Sequence, residues 1–203
     1  MAARAFEVAG HGGRPLACVA YETGSDRAAV VLPGSASKSY RLGGTPARPD
    51  LNFTRALLVE HGYDVVEVWW DGDTRTEGDE SWYRENAVAA VSAAGADRVR
   101  VLVGRSLGTI ALSLLPDLAD LASIWIAPLS HLPEVRDALT SWRGPALVVA
   151  GDDDPAFERV DGVETVIVPG GDHALNVGGA VGSARALGDA LERMDAWLGR
   201  LPE

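Results

Sequence analysis

The chain has 203 residues, 47% hydrophobic and 23% charged, which is enough to bury a core without disulfides or structural metals. Its 29 acidic residues outnumber 18 basic ones, for a formal net charge of −11, and no basic face for nucleic-acid phosphates is visible. A lone cysteine, Cys18, excludes an intramolecular disulfide and favours a reducing compartment.

The opening "MAARAFEVAGHGG" lacks the continuous apolar region of a signal peptide. No apolar run approaches the roughly 20 residues of a membrane span. A soluble, cytoplasmic protein is expected, with neither a membrane nor a nucleic-acid partner. Residues 4–9 and 15–22 are predicted strands of a hairpin across "GHGGR". Cys18 lies in the alternating stretch "PLACVAYET", which predicts a buried structural thiol. "AAVVLP" (28–33) is a short buried strand, followed by a polar, glycine-rich loop. "LNFTRALLVEHG" (51–62) carries helical spacing and stops at Gly62. The strand "YDVVEVWW" (63–70) leads into an acidic loop and then a helix over 81–95. Trp69, Trp70, Trp82 and Tyr83 flank that loop and either line an apolar pocket or pack the core.

A strand over 98–103 meets "GRSLG", and a helix runs from about Ser106 to Leu115, ended by Pro116. A strand over 121–129, a helix around 131–142 and strands over 145–151 and 164–170 follow. A long amphipathic helix over 180–201 closes the chain. From Ala28 onward strands and helices alternate, which predicts a single α/β domain over 1–203. Its sheet is mostly parallel and doubly wound, with antiparallel strands at the N-terminal edge. In such sheets chemistry gathers beyond the carboxyl ends of the strands. Those loops hold Ser35, Asp71, Ser106, Leu129, Asp152 to Asp154 and His173.

Gly104-Arg105-Ser106-Leu107-Gly108 fits G-x-S-x-G between a predicted strand and a predicted helix. The two glycines permit a strained turn that would lift the serine hydroxyl above the sheet. A serine hydroxyl needs a base to act as a nucleophile. Of the four histidines, His11 and His61 fit exposed or capping roles and His131 starts a helix. His173, in "PGGDHALN" past the last strand, is the candidate base. "VVAGDDDPAF" supplies Asp152, Asp153 and Asp154 as candidates to orient it. If that stretch is extended, Asp153 faces away, leaving Asp154 and the alternative acid Asp152. Three adjacent carboxylates could also suit a metal, but further ligands at regular spacing are missing. Asp172 is read as a turn residue. "PGSASKSY" evokes a phosphate-binding loop, yet Ser37 and Leu32 stand where that motif requires glycine.

The chain resembles the α/β-hydrolases, through "VLVGRSLGTIAL", "AGDDDP" and "GGDHAL" in the family order of serine, acid, histidine. The resemblance covers nearly the whole chain, and its size is similar to small lidless members such as the dienelactone-hydrolase-like proteins. Members that cleave dienelactones carry a cysteine where this chain has Ser106, which removes that substrate. The resemblance implies a serine hydrolase that cleaves a carboxylic ester or thioester through an acyl-enzyme on Ser106. His173 would be the base and Asp154, from the family's Gly-x-x-Asp pattern, the acid. The Leu107 and Ser35 amides would form the oxyanion hole, with Gly34 or Ala36 as alternatives to Ser35. It also implies no cap domain, because only about fifteen residues separate "IWIAP" from "PALVVAG". A small-molecule acyl substrate is expected, with no cofactor and no metal. The alternatives are a non-catalytic binding or scaffold protein on the same fold, or an acyltransferase or C–C hydrolase using the same triad.

Overall fold

Every residue of Ala28–Leu32 is buried. A strand apolar on both faces must be covered on both, and this requirement organises the fold. The computed structural model describes residues 2–34, 49–70 and 80–202. The strands are β1 (Ala2–Ala9), β2 (Pro15–Glu22), β3 (Ala28–Leu32), β4 (Asp64–Trp69), β5 (Val99–Arg105), β6 (Ala122–Ile126), β7 (Ala146–Gly151) and β8 (Glu164–Val168). The helices are α1 (Pro49–Glu60), α2 (Glu80–Ala93), α3 (Leu107–Ser113), α4 (Pro133–Ser141) and α5 (Ala180–Leu198).

Among the described residues the strands form one eight-stranded sheet in the order β1-β2-β4-β3-β5-β6-β7-β8. The β1–β2 and β2–β4 pairs are antiparallel and all others parallel. The α/β class, the mostly parallel sheet and its antiparallel N-terminal edge are therefore as the sequence predicts.

Alternation along each strand sorts its side chains into two cores. Val30, Leu32, Leu102, Trp125 and Val148 face the side packed by α2, α3 and α4. Ala29, Val31, Val101, Val103, Ile124 and Val149 face the side packed by α1 and α5. The buried stripe of α5 is Ala190, Met194, Trp197 and Leu198, the i, i+4, i+7, i+8 pattern of an amphipathic helix. Leu58 and Leu112, one in each core, are wholly shielded from solvent. Burying each contributes about 1.5–3 kcal/mol.

The topology sends the carboxyl ends of β3, β5, β7 and β8 to one edge of the sheet. The crossover from β6 to β7 is fully described and holds α4 with no inserted cap. β5 runs to Arg105, two residues beyond its predicted end, because Gly104 and Arg105 still pair with Trp125 and Ile126 of β6.

Candidate active site

At the end of β5 the chain reverses into α3 within one residue. Ser106 adopts φ 50° and ψ −117°, a region L-residues rarely occupy, at a cost of about 1–3 kcal/mol. One tertiary and two local hydrogen bonds hold it there. Its amide donates to the Ile126 carbonyl at 3.0 Å, and its carbonyl accepts from the Thr109 amide at 2.8 Å and the Thr109 hydroxyl at 2.6 Å. The flanking glycines answer to close packing. A Cβ at Gly108 would lie 2.1 Å from the Leu32 carbonyl oxygen, and one at Gly104 would lie 2.6 Å from Leu112 Cδ1. Neither position admits a side chain.

His173 reaches this serine from the loop after β8. Its Nε2 lies 2.8 Å from Ser106 Oγ, and its Nδ1 lies 2.8 Å from Asp154 Oδ2. An acceptor carboxylate on Nδ1 fixes the tautomer. Nδ1 carries the hydrogen, and Nε2 is left with a lone pair for the serine hydroxyl. Asp154 is shielded from solvent, and its other oxygen accepts the Ala156 amide at 2.9 Å. His173 keeps 37% of its side chain exposed, so the pair is reached from solvent.

The three adjacent aspartates separate. Asp152 and Asp153 form a turn rather than an extended segment, so strand parity does not decide their directions. Asp152 is exposed and its Oδ1 accepts the Gly170 amide at 2.5 Å, bracing the turn after β8. Asp153 is exposed, with its amide donating to the Gly171 carbonyl. Among the described residues no group of three or more His, Cys, Asp or Glu side chains could hold a metal ion. No helix among them is long and apolar enough to cross a membrane.

Other residues singled out from the sequence are not members of this chain of hydrogen bonds. His11 pairs with Glu85 and His61 with Asp195, while His131 Nδ1 donates to the Ala156 carbonyl. Asp172 is a turn residue. The Asn176 and Ala174 amides donate to its carboxylate and hold its carboxyl below the ordinary range, the Asn176 bond first. Cys18 is buried, and burial pushes its thiol up to about 11. Trp70, Trp82 and Tyr83 form a buried aromatic cluster, with Trp70 and Trp82 centroids 5.3 Å apart. Trp70 Nε1 also donates to the Gly34 carbonyl at 3.0 Å. Leu107 is the first residue of α3, so its amide has no carbonyl partner within the helix. Ser35, Ala36, Ser37 and Asp71 lie outside the described residues.

Arg105 and Asp50 are buried charges to which no sequence motif assigns a role. Arg105 Nε donates to Asp50 Oδ2 at 2.6 Å, and both side chains are buried. A charge inside an otherwise apolar run was the available signal, since a buried charge requires a partner.

No family model matches the chain, and no curated protein matches it. Solved structures do. A protein of unknown function from Agrobacterium tumefaciens, named as a candidate α/β-hydrolase, superposes with TM-score 0.72 at 17% identity; the match covers 98% of this chain and 100% of that one. A lidless α/β serine hydrolase from Xanthomonas campestris gives TM-score 0.71 at 18% identity, over 99% and 96% of the two chains. The esterase domain of a Rhodothermus marinus protein gives 0.67 at 16% identity, over 97% and 98%. The chain has the α/β-hydrolase fold. In this α/β-hydrolase fold Ser106 sits on the turn between the central strand β5 and α3, with Asp154 after β7 and His173 after β8.

Proposed function

We propose that the protein is a serine hydrolase acting on carboxylic esters or thioesters of small-molecule acyl substrates. The observation that carries this reading is the continuous chain Ser106 Oγ, His173 Nε2, His173 Nδ1, Asp154 Oδ2, with both hydrogen bonds at 2.8 Å. The likeness to esterases and serine hydrolases of the same fold supports the reaction class.

In the first step Ser106 Oγ bonds to the substrate carbonyl carbon while its proton passes to His173 Nε2. The carbonyl electron pair moves onto oxygen. The Leu107 amide donates to that oxyanion, and the Ser35 amide is the proposed second donor. Asp154 holds the imidazolium through Nδ1–H. Collapse of the intermediate restores the carbonyl and breaks the bond to the leaving alcohol or thiol, which takes the proton from Nε2. A water molecule then repeats the sequence against the acyl-enzyme, releasing the acid and the free serine. An acyltransferase would differ only in replacing that water with another nucleophile. The partly exposed His173 edge supports access of water to the acyl-enzyme.

Labelling with a fluorophosphonate probe tests the nucleophile, and a panel of p-nitrophenyl esters tests turnover. Covalent labelling that is lost in Ser106→Ala is expected. Wild-type protein that neither labels nor turns over any ester of the panel would mean an idle scaffold on this fold.

A further inference from the structure

We propose that Arg105 is a positioning residue that sets the distance between Ser106 and His173, with Asp50 as its anchor. This rests on Ser106 being the nucleophile. Arg105 is the residue immediately before Ser106 and the last of β5, and its side chain is 2% exposed. Its Nε donates to Asp50 Oδ2 at 2.6 Å, and its Nη2 donates to the His173 backbone carbonyl at 3.2 Å. One planar guanidinium therefore spans the start of α1 and the histidine loop, while its own backbone carries the nucleophile.

The histidine loop needs such a tie. His173 stands on the segment between β8 and α5, which has no regular structure over 169–179. Its position is not dictated by a sheet ladder. Other tethers hold its two ends: the Asp153 amide to the Gly171 carbonyl and the Gly170 amide to Asp152 on the acid loop, and the Val177 amide to Ser183 Oγ of α5 at 3.0 Å. The Arg105 bond joins it to β5 instead. In the sheet order β8 is separated from β5 by β6 and β7, so the histidine must be drawn across two strands to meet the serine. The guanidinium fork makes two directed bonds from one rigid plane, which an ammonium cannot do. Asp50 is well placed as the anchor. It is buried, its Oδ1 accepts the Leu51 amide at 3.0 Å, and its Oδ2 is thereby turned toward Arg105.

A buried ion pair can be merely structural, and the two roles separate experimentally. Replacing both partners with apolar residues of similar volume commonly preserves stability, whereas removing one partner leaves an uncompensated charge. The double variant R105M/D50L is expected to unfold within a few degrees of wild type. Its kcat on p-nitrophenyl acetate and its rate of fluorophosphonate labelling should fall about tenfold or more, with KM little changed, because misplacement of the base affects chemistry rather than binding. R105K keeps the charge opposite Asp50 without the second directed bond, and should show the same kcat loss if the double variant does not fold. Either variant folded, with wild-type labelling rate and kcat, overturns the inference and leaves the serine-hydrolase reading standing. A wild-type protein that does not label removes both.

Discussion

Asp154 Oδ2 stands 2.8 Å from His173 Nδ1, in a carboxylate shielded from solvent and braced by the Ala156 amide. Two residues earlier, Asp152 spends its Oδ1 on the Gly170 amide at the surface. Neighbouring carboxylates of one loop thus face different tasks, because the turn at 152–153 rotates one away as it delivers the other.

Asp154→Asn is accordingly expected to lower kcat by orders of magnitude, with about 10⁴ as the guide from the protease triad. Asp152→Asn should lose less than tenfold, since it touches only the brace under the histidine loop. Ester kinetics on both folded variants check this ranking. The reverse order would transfer the acid role to Asp152.

Ser106 invites a comparison of two variants. Ser106→Ala keeps a Cβ in the strained φ 50°, ψ −117° conformation, whereas Ser106→Gly removes the clash. Relief of about 1–3 kcal/mol is opposed by a glycine entropy cost of about 0.4–1 kcal/mol. Ser106→Gly should therefore unfold at higher denaturant concentration than Ser106→Ala, and neither should label with a fluorophosphonate. Equal midpoints would mean that the turn at Ser106 stores no strain.

Gly108→Val is expected to abolish folding or to cost more than about 4 kcal/mol. A Cβ there would sit 2.1 Å from the Leu32 carbonyl oxygen, and β3 and α3 are both locked in the core. Circular dichroism and thermal unfolding would register the change. A cooperative transition near the wild-type temperature would show that the turn between β5 and α3 can open.

Far from the site, Asp64 makes stability depend on acidity. Burial raises its carboxyl, but the Thr23 amide at 2.7 Å, the Arg98 guanidinium at 2.6 Å and the Thr23 hydroxyl at 2.9 Å outweigh that and hold it at about 2. A carboxyl depressed on folding contributes stability above its unfolded value, near 4, and loses it as pH falls towards 2. Allowing for solvent screening, the contribution is about 1–2 kcal/mol. Asp64→Asn should thus be less stable than wild type at pH 7, with the gap narrowing between pH 4 and 2 in urea titrations. A gap independent of pH would contradict the assignment.

Two kinds of information were legible in the chain itself. Continuous apolar runs such as "AAVVLP", alternating with helical stripes, determine a covered parallel sheet, because each face demands its own layer of apolar packing. The glycines around Ser106 mark a turn that only small residues permit, and the order of Ser106, Asp154 and His173 along the chain marks where chemistry could gather.

Tertiary structure decided what lay between distant segments. Arg105 and Asp50 are 55 residues apart, and nothing local to either names the other. The rotation that sends Asp154 to His173 and Asp152 to Gly170 arises where the acid loop and the histidine loop cross. There Gly151 and Gly171 pack so closely that a Cβ at Gly151 would lie 1.9 Å from the Gly171 carbonyl oxygen. The aromatic residues that could have lined a pocket, Trp70, Trp82 and Tyr83, were likewise committed to the core by the packing of α2 against the sheet. Periodicity reports which face of an element is apolar. Which side chains meet across loops depends on the mutual placement of elements, which is set by the packing of the whole core.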